Sequence, residues 1–252
     1  MNSYAQYSYP LFNQLPASLK VLYTMVLLIF GLGYIFAMVQ VYEVHAGRDG
    51  KPGVSVQDIQ IAYRGSNSGT RLESAINGPM SSMLPASESA TIVSWLHTDM
   101  SEEAFNKEIL PILETRCTAC HDGSNPHIPN LTSFENVKTV TVVDTGVSVG
   151  TLVRVSHIHL FGLAFIFAFM GLIFSHAYVR RIWLKNVIII LPFAAIFLDV
   201  MSWWLTKVAE PFGYIIFASG ALMGVSFAFQ WCVSMYQLWF FKCPDDEVCV
   251  VP

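Results

Sequence analysis

Charge is what this sequence has least of. Only 13% of its 252 residues are Asp, Glu, Lys or Arg, against 54% hydrophobic, where a soluble domain carries about 25% charged residues. That balance, with a mean hydropathy of +0.49, points to a membrane protein. Lys and Arg number 14 and form no run, which excludes the basic patch that would hold nucleic acid. Cysteine is scarce too: two form a Cys-x-x-Cys pair, Cys232 lies in an apolar run, and Cys243 and Cys249 lie near the C-terminus. Five so placed make no disulfide framework. No glycine-rich phosphate loop and no Ser/His/Asp constellation is present, which leaves phosphate-cradle and triad chemistries without residues.

Long apolar runs are what it has. Residues 19–42 are interrupted only by Lys20 and Gln40, and a spanning helix needs roughly 20 residues. The sequence VHA at 44–46 weakly mimics a signal-peptide cleavage site. Signal h-regions, however, run only about 7–15 residues, so the run is expected to stay as an anchor. Three more runs occupy 152–178, 183–205 and 212–241. A buried soluble core explains one such run but hardly four. Gly220 and Gly224 are spaced for close helix packing. Trp183, Trp203, Trp204 and Trp239 fall near segment ends and read as an aromatic belt. The aromatic stretch at 227–241 reads as lipid-facing and helix-packing surface.

Between the first and second runs, residues 43–151 change character, with Gly, Ser, Asp and Glu frequent and apolar residues periodic. Ser55 and Asp58 mark a helix start, and Ile92, Val93, Trp95 and Leu96 share one side of another helix. Ser101 reads as the N-cap of a third, with Phe105, Ile109, Ile112 and Leu113 as its stripe. Strand signal is thin outside 137–143. The expected fold is all-α: four transmembrane helices with a small, mainly helical domain at 43–151 inserted between helices one and two. Lys20, Arg180, Arg181, Lys185 and Lys242 flank one set of helix ends. The positive-inside rule makes those ends cytoplasmic, together with segments 1–18 and 242–252, and puts the inserted domain outside.

That domain carries the one motif with chemistry in it, Cys117-Thr118-Ala119-Cys120-His121. A structural zinc site needs two further thiol or imidazole ligands. The segment has no other cysteine, though His45, His97 or His127 would add imidazoles to His121. A dithiol redox pair would sit in a βαβ pattern, which is missing here. Histidine directly after the second cysteine reads most economically as covalent haem attachment: thiols on one turn bond both vinyl groups, and the adjacent imidazole reaches iron.

In this motif, and in the helical stretch ILPILETRC leading into it, the chain resembles class I c-type cytochromes. A second stretch, 78–96 (GPMSSMLPASESATIVSWL), resembles the family's segment in which a Met close to a Pro supplies the distal iron ligand ahead of the closing helix. The resemblance implies one covalent haem c, with His121 proximal and Met83 distal. Met80, Met100 and His127 are the other distal candidates. It departs from the family in order, because the Met segment here precedes the haem motif, as in a circular permutation. Methionine rather than histidine on the far side raises the reduction potential.

Ionisable groups inside a membrane are expensive and are read first as functional. His159 and Asp199 fall at comparable depth on neighbouring segments. They read as a buried pair fixing helix register or as a proton-accepting quinol site. His45 with His157 or His159 would hold a haem b between helices. His176 reads as interfacial. The functional expectation is a mono-haem cytochrome of the bacterial inner membrane, its haem domain on the periplasmic side. It would pass electrons between a donor and an acceptor as one subunit of a redox complex in lipid. A quinol-oxidising subunit feeding the haem, and a haem-based gas sensor or assembly factor, are the alternatives.

Overall fold

Helix caps and apolar length together set the secondary structure. The computed structural model describes residues 10–66, 69–126 and 128–242; His127, Cys243 and Cys249 lie outside them. The long α1 (Ala17–His45) is followed by four short elements, α2 (Val56–Arg64), α3 (Arg71–Asn77), α4 (Ala86–His97) and α5 (Glu102–Ala104). A π-helical turn, Phe105–Ile109, joins α5 to α6 (Leu110–Arg116), and α7 (Phe134–Lys138) closes the short set. Then come α8 (Val149–Phe174), α9 (Ile182–Thr206) and α10 (Phe212–Trp239). No strand forms among the described residues; Thr70 and Val143 make a single antiparallel bridge.

The short helices begin where side chains can cap them. Ser55, Thr70, Ser101 and Ser133 each accept a bond from a backbone N–H in the first turn, and the Asp58 carboxylate accepts from Ser55 N–H to complete a capping box. Pro111 explains the π turn. Its ring crowds the carbonyl four residues back, and widening the preceding turn lets Leu110 N–H reach Phe105 O. The strand-like segment 137–143 behaves differently from its pattern. Ser133 starts a helix into it, a turn follows, and only Val143 bridges, while the carbonyls of Val142 and Val140 accept the first-turn N–H groups of Arg71 and Leu72 in α3.

Two compact units divide the chain, one comprising Val39–Thr151 with Trp204–Gly213 and the other Met1–Met38, Leu152–Trp203 and Tyr214–Pro252. In the first, Ile76, Ile92, Trp95, Phe105, Ile109, Leu113 and Val137 form a shared core. The Trp95 and Phe105 rings sit 5.7 Å apart where α4 meets the π turn. The link after α9 is clasped onto this unit. Lys207 Nζ donates to the carbonyls of Tyr63, Thr145 and Val147, while Gln60 and Arg64 donate to those of Glu210 and Val208.

In the second unit, the long helices are of a length and apolarity that cross a membrane; with α1 there are four such helices among the described residues. Tyr34 stacks on Phe227 at 4.6 Å, and Trp231 donates to Leu27 O, so α1 lies on α10. Gly224 gives the room for this contact, because a Cβ there would overlap the Tyr34 hydroxyl, whereas Gly220 faces open space. Only one glycine of the expected pair therefore packs. Lys185, read above as a flanking charge, is buried and donates to the carbonyls of Ser175 and Ala177. Those carbonyls lie just past the end of α8, where no helical N–H reaches them.

Candidate functional site

The Cys-x-x-Cys-His turn begins where α6 ends. Cys117 is the C-cap of α6, and Cys120 and His121 both donate backbone N–H to its carbonyl. That places both thiols and the imidazole on one tight turn. Cys117 is half-buried and Cys120 exposed, both as free thiols. Burial pushes the Cys117 thiol up, and the charge of Glu88 pushes it further the same way. A nucleophilic dithiol needs the opposite shift.

His121 is oriented from behind. Its Nδ1 lies 2.7 Å from the Pro129 carbonyl oxygen, and its own carbonyl accepts Leu131 N–H at 2.9 Å. A carbonyl only accepts, so the ring proton is on Nδ1 and Nε2 carries the free lone pair. A backbone partner on the rear nitrogen is the usual way a protein fixes a metal-ligating imidazole. Gly123, at φ +89°, turns the chain back toward Pro129; a side chain there would meet Asn130.

Met83 ends the turn Ser81–Met83, just before buried Leu84 and the Pro85 cap of α4. It is 61% exposed, against 37% for Met80 and 39% for Met100, so none of these thioethers is engaged in the core. Met100 has left-handed backbone, φ +46°. The Met83 segment is tied to the motif through α4: Glu88 accepts two bonds from Arg116, at 2.9 and 3.0 Å, one residue before Cys117. His97 pairs with Glu73 at 3.0 Å, and His45 stacks on Tyr63. Among the described residues no three His, Cys, Asp or Glu side chains converge on a common point; His127, one of the imidazoles of the zinc reading, lies outside them.

The helix bundle holds a separate polar group. Asp199 is buried, accepts from Ser219 Oγ at 3.0 Å and is bonded by the Trp203 side chain. His159 donates Nδ1–H to Val155 O, and its ring stands edge-on to Trp203 at 5.0 Å. The expected His159–Asp199 pair is thus not a direct hydrogen bond; Trp203 lies against both. Trp203 is buried, so it leaves the expected aromatic belt, while Trp183 and Trp239 are exposed. His157 is exposed over Phe161. His176, expected at an interface, is buried, with Nδ1 donating to Pro10 O.

Gln230 is the residue that pattern reading overlooked. Within a stretch read as lipid-facing and helix-packing surface with no residue singled out, it is fully buried and donates to Ile188 O at 2.9 Å. The signal was Pro192, four residues beyond Ile188, which has no N–H to give that carbonyl.

Residues 138–245 match a family model described as a transmembrane helical domain. The match takes in α8, α9 and α10 and leaves α1 and the Cys-x-x-Cys-His turn outside it. The chain matches no curated protein and no solved structure. Fold and comparison together define an all-helical, multi-pass membrane protein.

Proposed function

We propose that this protein is a membrane-bound mono-haem c-type cytochrome that transfers electrons. The observation that carries the reading is the His121 imidazole, held by Pro129 O with Nε2 free, on the same turn as two free thiols. The residues fit the group: Cys117 and Cys120 would bond its two vinyl carbons, and His121 would ligate the iron. Bound there, haem would supply one-electron exchange, with its potential set by the ligands and burial around it. The chain's own part is to orient His121 through Pro129 and to brace the motif with the Glu88–Arg116 pair. Met83 is proposed as the distal ligand; what supports this is that the helix following it, α4, is bonded to the motif's helix through Glu88 and Arg116. The inserted domain is read as facing the periplasm of a bacterial inner membrane, where donor, acceptor and neighbouring subunits of a redox complex would meet it.

A second reading is favoured by Asp199, a buried carboxylate held by the neutral groups Ser219 and Trp203. It would be the proton acceptor of a quinol site in the bundle. The first reading is tested by expressing the full chain with a haem-attachment system and measuring haem that survives denaturation and acid–organic extraction. Retained haem in the wild type, lost in Cys117→Ala/Cys120→Ala, is the expected result. Haem that extracts freely, or none at all, overturns it.

A further inference from the structure

One face of α10 is polar for most of its length. Ser219, Met223, Ser226, Gln230, Ser234 and Gln237 are spaced by three or four residues, so they form a single stripe. Ser219, Ser226, Gln230 and Ser234 are each more than nine-tenths buried, and Met223 is the one apolar member. From Ser219 to Gln237 the stripe runs roughly 27 Å at about 1.5 Å per residue, close to the thickness of a hydrocarbon core.

Helix packing accounts for only part of this stripe. Gln237 is bonded twice to the backbone of Tyr178, and Gln230 Nε2 to Ile188 O. Three buried atoms have no protein partner: Ser226 Oγ, Gln230 Oε1 and Ser234 Oγ. Three such atoms on successive turns of one helix are costly in an apolar interior. They are also separated by about 6 Å along the axis, the span of one water-bridged hydrogen bond. At its Ser219 end the stripe meets Asp199, the buried acid of the bundle, and Trp203 lies against both Asp199 and half-buried His159.

We propose that this stripe conducts protons through the helix bundle along bridging waters, from Gln237 past Ser234, Gln230 and Ser226 to Asp199 and on to His159, with the Trp203 indole, which only donates, beside the path and not in it. Hydroxyl groups relay a proton by accepting one and releasing another, so no electron donor or acceptor takes part. Met223 fills the longest interval, about 10 Å between Ser219 and Ser226, and limits the rate. The path lies wholly in the bundle and stands whether or not the Cys-x-x-Cys-His turn holds haem.

The test is proton uptake by vesicles containing the purified full chain and a pH-sensitive dye, driven by a potassium diffusion potential. Wild-type vesicles should acidify faster than protein-free ones, and Asp199→Asn should fall back to the protein-free rate. Ser226→Ala/Ser234→Ala deletes two hydroxyls that bond to no protein group, so the helix contacts stay intact while flux is lost. Met223→Ser should raise flux. Wild-type flux equal to that of protein-free vesicles overturns the proposal. So does full flux in the double serine variant, verified as folded by circular dichroism.

Discussion

Gln230 on α10 donates its side-chain N–H to the Ile188 carbonyl of α9, the acceptor that Pro192 leaves without a helical partner. A proline inside a spanning helix is tolerated when a neighbour takes up the freed carbonyl. Gln230→Leu removes that donor and should lower bundle stability by about 0.5–1.5 kcal/mol. In a Pro192→Ala background the residue-192 N–H returns and the same change should cost less. Unfolding of the four variants in mixed detergent measures the coupling; equal costs in both backgrounds would show that the bond is not made.

The two glycines of α10 should separate cleanly. Gly224→Val drives a side chain into the Tyr34 hydroxyl, whose ring is held on Phe227. The expected loss is about 1–3 kcal/mol. Gly220 faces open space, so Gly220→Ala should be neutral or stabilising by up to about 1 kcal/mol. Thermal unfolding of both variants checks the contrast.

Glu88 acts on Cys117 by charge as well as through Arg116. Its negative charge adds to burial in raising the thiol. In haem-free protein, Glu88→Gln should therefore increase the thiolate fraction and speed alkylation of Cys117 at mildly alkaline pH. Cys120, on the same turn, serves as the internal control, and an unchanged ratio of the two rates would contradict the assignment. The stability cost should stay below about 1 kcal/mol, because the pair is partly solvated.

His176 gives the N-terminal segment a pH dependence. Burial holds its pKa below the ordinary value, with the Pro10 bond opposing and the nearby Lys185 charge assisting. The unfolded chain then binds the extra proton first, at about pH 6.5. Stability should fall as pH drops below that value and level off once the folded state is protonated too. His176→Gln, which keeps a donor toward Pro10, should flatten the profile; an identical slope in the variant would place the effect elsewhere.

If Met83 ligates the iron, Met83→Leu leaves covalent haem content unchanged but lowers the reduction potential and abolishes the Met–iron charge-transfer band. Persistence of that band shifts the role to Met80 or Met100. Haem lost along with the methionine would mean that the residue maintains the fold instead.

Much of this was legible in the residues. Hydropathy gave the four long helices, and Ser55 and Ser101 announced helix starts because capping is a local bond between near neighbours. The motif turn was readable for the same reason. Contacts made across distant segments were not. Pro129 behind His121 depends on how residues 122–130 close, and the Lys207 clasp joins residues about sixty and more than a hundred and forty apart. Trp203 misled because position near a helix end says nothing about which way a ring faces. The stretch 137–143 misled because its β-branched alternation found no strand to pair with: it meets the start of helix α3, where only Thr70 bridges to Val143.

Lys185 leads a double life. In the sequence it is one of three basic residues clustered around the link between α8 and α9. Once α8 and α9 have docked, the same ammonium is sealed against the Ser175 and Ala177 carbonyls. The charge thus serves as a latch, and its neutralisation would free the end of α8 from the start of α9.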